Sequence, residues 1–210
     1  MKKLLVIALM LALCLGCVGA RAEEFSYGEY SYILLEDGTA EIIYYSGESE
    51  TLDIPNTLDG HSVTAIGDEA FSRCDSLTSV TIPDSVTAIG DYAFIWCDSL
   101  TSVTIGNSVT VIGKQAFFSC RSLTSVTIPD SVKSIGEEAF AYCDSLTLSV
   151  GKGSYAEQYC IKNNLNYHST LHENHFYLAI LIPVLAVIII ITIVIVILVR
   201  KRKTVTAEKQ

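Results

Sequence analysis

Residues 66–88 recur almost verbatim from Ile89, from Ile112 and from Ile135, a period of 23 residues. Self-similarity at such a period marks a solenoid, in which each unit buries its apolar face only against its neighbours. Stacked units hold few buried catalytic clefts and present a broad, regular surface. The repeat therefore points to binding before it points to chemistry.

Within one unit the recurring apolar positions are Ala70, Phe71, Cys74, Leu77, Val80, Ile82, Val86 and Ile89. Leu-x-x-Val-x-Ile reads as a short strand whose alternate side chains point inward. Gly67 and Pro83 bracket the turns, and Gly106 replaces the proline in the second unit. Cys74, Cys97, Cys120 and Cys143 are spaced at the repeat period, and Cys160 stands alone. Cysteines in an exported chain ordinarily suggest disulfides. The period favours a column of small buried thiols that pack as apolar residues, and no Cys-x-x-Cys spacing suggests zinc.

The flanks read as caps, because a solenoid end exposes an unpaired core face. Before the repeats, residues 30–35 and 39–45 read as two strands about the Glu36-Asp-Gly38 turn. Tyr27, Tyr30, Tyr32, Tyr44 and Tyr45 would cover the open end of the core or form a sticky patch. Leu52-Asp-Ile-Pro55 echoes Val80-Thr-Ile-Pro83 and reads as a partial first repeat, and residues 59–62 as a small insertion. After the repeats, Leu146-Thr-Leu148-Ser-Val150 is one residue shorter than its counterpart, as though the coil were failing. Ser154 and Glu157 then form a capping box for a helix over residues 155–162.

The motifs Cys74-x-x-Leu77-x-x-Val80-x-Ile82-Pro83 and Ile89-Gly90-x-x-Ala93-Phe94, with their equivalents, resemble the BspA-like leucine-rich repeats of bacterial surface antigens. The resemblance covers about residues 51–150 and extends to both flanking caps. It implies a short leucine-rich-repeat coil of five turns, with an N-terminal β-hairpin cap and a C-terminal helical cap. It also implies adhesion or protein recognition, and no catalytic residues or cofactor.

Two further segments place this coil. Residues 1–22 read as a secretory signal with Lys2 and Lys3 in front and Ala20-Arg21-Ala22 as the cleavage site. Lipidation at Cys17 is the alternative, although Cys14 departs from the usual lipobox. Residues 177–199 carry no charge, and as a helix they reach about 35 Å, enough for a bilayer core of about 30 Å. Arg200-Lys201-Arg202-Lys203 follows and belongs on the cytoplasmic side. The expected order is thus signal 1–22, N-terminal cap and partial repeat 23–60, repeats 61–150, helical cap 151–167, linker 168–176, transmembrane helix 177–199 and cytoplasmic tail 200–210. The repeats face outward in a single-pass protein of the cell membrane.

Residues 23–175 hold 6 Lys or Arg against 22 Asp or Glu. So acidic an ectodomain argues against nucleic acid as a partner. No nucleotide loop, nucleophile elbow or carboxylate pair stands out. Asp75, Asp98 and Asp144 suggest calcium until Arg121 is seen to complete their column. Asp68, Asp91, Lys114 and Glu137 form a second column, again with a cation between acids, so charge relief between coils is the simpler reading. His168, His172 and His175 share one face only if the membrane helix extends outward, and they do not complete the His-Glu-x-x-His motif. A solvated linker is the simpler reading there.

The residues that break the repeat carry more. The two positions before each cysteine read Ser72-Arg73, Ile95-Trp96, Phe118-Ser119 and Ala141-Tyr142. Ile95, Trp96, Phe118 and Tyr142 are expected to cluster, partly exposed, as a candidate binding patch; the other reading is that they shield the core. A second candidate surface is the hydroxyl ladder Ser79, Thr81, Ser102, Thr104, Ser125 and Thr127, which is equally a soluble sheet face. The functional expectation is a membrane-anchored module that recognises a protein or surface polymer. The alternative is a structural or assembly protein of the cell envelope, and an enzyme is not expected. No Leu-Pro-x-Thr-Gly sorting signal precedes the apolar run, so a long-range adhesin fits poorly.

Overall fold

The computed structural model describes residues 23–170. The expected signal segment 1–22, membrane span 177–199 and basic tail 200–210 lie outside the described residues. Among the described residues, no helix is long and apolar enough to cross a membrane.

The repeat closes into a β-solenoid with two parallel ladders. One ladder is built from β4 (Thr51–Asp53), β7 (Ser79–Thr81), β9 (Ser102–Thr104), β11 (Ser125–Ile128), β13 (Thr147–Gly151) and β14 (Tyr167–Thr170). Its register superposes equivalent residues: Val80 faces Val103, which faces Val126. The second ladder runs through β6 (His61–Ile66), β8 (Ala88–Ile89), β10 (Val111–Ile112) and β12 (Ser134–Ile135). Its N-terminal side continues into antiparallel β1 (Glu24–Tyr27), β2 (Tyr30–Leu34) and β3 (Ala40–Tyr45), and β3 pairs parallel with β6. β5 (Thr57–Leu58) pairs antiparallel with β6 through a tight turn at Asp59-Gly60, both at positive φ, so the supposed insertion is a small hairpin.

The interior is stacked in columns. Phe71, Phe94, Phe117 and Phe140 lie face to face at centroid separations of 4.9, 5.1 and 5.3 Å. Tyrosines extend the stack at both ends: Tyr30 and Tyr45 on one side of Phe71, and Tyr159 against Phe140. Such ring contacts add about 0.5–1.5 kcal/mol each beyond their area burial. Of the N-terminal tyrosines, Tyr32 and Tyr45 are buried, whereas Tyr27 and Tyr44 are exposed. The cysteine column lies alongside. Sγ of Cys97, Cys120 and Cys143 donates to the carbonyl of Phe71, Phe94 and Phe117 respectively, each at 3.1 Å. The five cysteines of the described residues are free thiols.

The third side of each coil is neither strand nor helix. Two residues per coil, four apart, take the left-handed conformation: Glu69 and Arg73, Tyr92 and Trp96, Gln115 and Ser119, Glu138 and Tyr142. Side chains other than glycine lose about 1–2 kcal/mol there. The compensation is a hydrogen-bond ladder from coil to coil. Tyr92, Phe94 and Trp96 donate their N–H groups to the carbonyls of Lys114, Ala116 and Phe118 at 2.7–3.0 Å. The turn backbone is therefore satisfied by stacking, as buried backbone must be.

Four expectations are revised. The N-terminal element has three strands, because Glu24–Tyr27 adds to the expected pair. Tyr167–Thr170 pairs with β13 as a sixth strand of the main ladder, so the coil has six turns rather than five and residues 168–170 are not linker. The shortened fourth unit does not break the ladder: Val126 faces Leu148, and the missing residue falls between Leu146 and β13. Finally, the carboxylates of the second charged column serve the backbone. Asp68 Oδ1 accepts the N–H of Asp91 at 2.7 Å, and Asp91 Oδ1 that of Lys114 at 2.6 Å. Among the described residues of that column, charge relief is limited to one pair, Lys114–Glu137 at 3.3 Å.

Between β13 and β14, α1 (Tyr155–Asn163) starts at Ser154, whose Oγ accepts the Glu157 N–H at 3.1 Å. Glu157 reaches back one residue further than a capping box requires, taking the N–H of Gly153 at 2.6 Å. That bond lowers the Glu157 pKa. Ala156, Tyr159 and Cys160 are its buried side.

Candidate functional site: the turn face

The turns hold two columns of left-handed residues four apart, with a third column one residue before the second; of the eight left-handed residues only Ser119 is buried. Glu69, Tyr92, Gln115 and Glu138 form the first, Arg73, Trp96, Ser119 and Tyr142 the second, and Ser72, Ile95, Phe118 and Ala141 the third. Every coil shares the backbone path, yet in the second and third columns the side chain differs in every coil. A depression of about 350 Å³ opens here, lined by Glu69, Tyr92, Ile95, Trp96, Gln115 and Phe118. That is the low end of the range for ligand pockets.

The structure places the candidate patch as follows. Trp96 is 40% exposed, and the Arg73 guanidinium lies 4.6 Å from its ring centroid. Tyr142 is 65% exposed and meets Phe118 edge-on at 4.9 Å. Phe118 is half-buried. Ile95 is only 6% exposed, contrary to the expectation of partial exposure. It still lines the depression, beside the more exposed Trp96 and the half-buried Phe118. Tyr92, Gln115 and Glu69 complete the site and were not singled out from the sequence. Their column is uniformly polar or aromatic and carries no glycine to betray the left-handed turn. Gln115 Nε2 donates to Glu138 Oε2 in the next coil.

The hydroxyl ladder differs. Ser79, Ser102 and Ser125 lie in register, as do Thr81, Thr104 and Thr127. Thr81, Thr104, Ser125 and Thr127 are exposed, while Ser79 and Ser102 are half-buried. Ser102 Oγ donates to Ser79 Oγ at 3.2 Å. Neighbouring threonines bond along the stack at the surface: Thr101 Oγ1 donates to Thr78 O at 2.8 Å and Thr124 Oγ1 to Thr101 O at 3.1 Å. This face spends part of its polar capacity on its own coils.

Among the described residues, no group of three or more His, Cys, Asp or Glu side chains is placed to hold a metal ion. Asp75, Asp98, Arg121 and Asp144 are all exposed, and His168 lies exposed in β14 opposite Ser149. His172 and His175 lie outside the described residues. Burial pushes the thiols of Cys143 and Cys160 up to about 11. Hydrogen bonding to its neighbour, then burial, raises Cys74 too.

A parallel coil with one strand ladder, one short ladder and a stacked turn face defines a leucine-rich repeat solenoid. The model of the BspA type leucine rich repeat region matches residues 40–170 with 6 copies, and the chain belongs to that family. A leucine-rich repeat protein from Bacteroides capillosus ATCC 29799 is 34% identical with a TM-score of 0.55, the match covering 60% of this chain and 97% of that one. A leucine rich cell surface protein from Faecalibacterium prausnitzii A2-165 is 32% identical with a TM-score of 0.50, over 64% of this chain and 46% of that one. Among curated proteins, none matches the chain.

Proposed function

We propose that the chain is a recognition module that binds another protein or a surface polymer through its turn face, held close to a membrane by residues 177–199. The observation that carries this reading is the contrast within one backbone path. The turns repeat in every coil, but Arg73, Trp96, Phe118 and Tyr142 break the repeat together; Trp96 and Phe118 line an apolar depression, and Arg73 and Tyr142 pack against those two rings. Exposed aromatics with arginine are the residue types that dominate binding energy at interfaces. The name of the F. prausnitzii relative, a cell surface protein, and the signal-like and apolar terminal segments support an outward-facing location. In this reading the N-terminal strands and α1 cap the aromatic stack.

Reach sets the kind of partner. Thr170 is still in β14, so only residues 171–176 separate the coil from the apolar run. Fully extended, they span at most about 20 Å. A partner at or near the same membrane fits this reach better than a distant one. Crosslinking on intact cells, with wild type and Trp96→Asn compared, tests the reading. Asparagine tolerates the left-handed backbone, so the variant removes the ring without adding strain. Loss of specific crosslinked partners is expected. Identical partner sets would overturn recognition by this face and favour a structural role in the envelope.

A further inference from the structure

The depression on the turn face has a composition that specifies more than stickiness. Its lining is mainly apolar: the buried Ile95, the half-buried Phe118 and the rings of Tyr92 and Trp96. Among its lining residues the only charge is Glu69, whose carboxylate makes no salt bridge among the described residues. The basic residues next in sequence to its lining are already engaged: Lys114 pairs with Glu137 at 3.3 Å, and Arg73 stacks on Trp96. The last contact shows that this ring system accepts a cation. Around it the repeat region is strongly acidic.

We infer, on the reading that the turn face recognises a protein, that this depression takes a lysine or arginine side chain from a basic segment of the partner. The aliphatic stem lies on Ile95 and Phe118, as long cationic side chains do on apolar surfaces. The cationic head meets the ring of Tyr92 and the carboxylate of Glu69, combining cation–π attraction with a charge-assisted contact. The acidic surface steers a basic segment and repels an acidic one.

The chain has a single tryptophan, Trp96, so its fluorescence reports on the site itself. The full-length chain in zwitterionic detergent is titrated with acetylated tetralysine amide and, separately, with the tetraglutamine peptide. A saturable change with tetralysine and none with tetraglutamine is expected. Glu69→Gln should weaken the response by about tenfold, the size of one lost contact to a charged group. Tyr92→Asn, which keeps the left-handed turn, should weaken it as well. Asp53→Asn, which removes one negative charge from β4, should leave it within about twofold. Equal losses for Glu69→Gln and Asp53→Asn would mean general charge attraction and would sink the inference, as would an unsaturable or absent response. Crosslinked partners that depend on Trp96, together with fluorescence indifferent to tetralysine, would leave the recognition face standing and remove only its basic ligand.

Discussion

The strand side and the turn side of each coil treat the same repeat differently. Facing inward, both are uniform: Leu, Val and Ile from the strand side, Ala, Phe and Cys from the turn side. Facing outward, the strand side repeats Ser and Thr in every central coil, whereas the turn side changes from Arg73 to Trp96 to Tyr142, with a buried Ser119 in the coil between the last two. The backbone explains the latitude. On the turn side, main-chain hydrogen bonds between coils fix the path, and the left-handed residues need supply no particular side chain. Variation there costs the fold little, so that is where a stacked protein can acquire a specific surface.

If the inward columns do the stabilising, the largest effects should come from them, and more from the turn side than from the strand side. Phe94→Ala removes a fully buried ring with a stacked neighbour on each face. It should cost about 3–5 kcal/mol. Val103→Ala, at the matching depth on the strand side, should cost about 2 kcal/mol. Urea unfolding followed by circular dichroism measures both, and equal costs would break the asymmetry. Next comes Gly113→Ala. A Cβ at Gly113 would lie 2.6 Å from the Asp91 backbone nitrogen, against the backbone of Gly90. Neighbouring coils must part to admit it, for about 1–3 kcal/mol, seen as a lower midpoint in the same experiment.

How much of this was legible in the sequence follows the same division. The inward columns were readable because burial imposes one residue type at a fixed spacing, and the phenylalanine and cysteine stacks lie where the period put them. The left-handed turns were not readable, since Glu69, Arg73, Tyr92 and Trp96 include neither glycine nor asparagine; stacking imposes their conformation. The sixth turn was hidden because Tyr167–Thr170 keeps the repeat's residue type at none of its paired positions, and joins through its backbone together with the Tyr167 ring and the Thr170 hydroxyl. Ile95 was read as partly exposed because its column is apolar in some coils only, and burial there depends on the bulk of Trp96 and Phe118. Tyr92 and Glu69 carried no signal of their own; only the three-dimensional neighbourhood brings them to the depression.

Two of the thiols sharpen the comparison through pH. Cys143 and Cys160 are raised from the ordinary 9.0 to about 11 by burial. A thiol raised in the folded state contributes stability that is complete below pH 9 and is lost as the pH climbs through 11. The raised phenols of Tyr30, Tyr45 and Tyr159 act in the same direction above pH 10. Melting temperature should therefore hold up to about pH 9 and then fall. A Cys143→Ala, Cys160→Ala double variant should fall less steeply between pH 9 and pH 11. An unchanged slope would show that these thiols are not the groups that titrate.

The smallest effect is the most discriminating, because it predicts a change of sign. Replacing an outward residue by glycine should have opposite consequences on the two sides. In strand β9, Thr104 is exposed and extended. Glycine there loses strand preference and frees the unfolded chain, costing about 0.5–1 kcal/mol. Glu138 is also exposed but sits at φ 55. Glycine at that position relieves left-handed strain of about 1–2 kcal/mol. Against this stand the entropy of the more flexible unfolded chain and one exposed hydrogen bond to Gln115, the latter small in water. Glu138→Gly should thus be neutral or stabilising by up to about 1 kcal/mol, while Thr104→Gly destabilises. Paired denaturant titrations decide it. A loss of stability in both variants would mean that the turn face depends on its side chains as the strand face does, and the freedom that lets Trp96, Phe118 and Tyr142 build a binding surface would not exist.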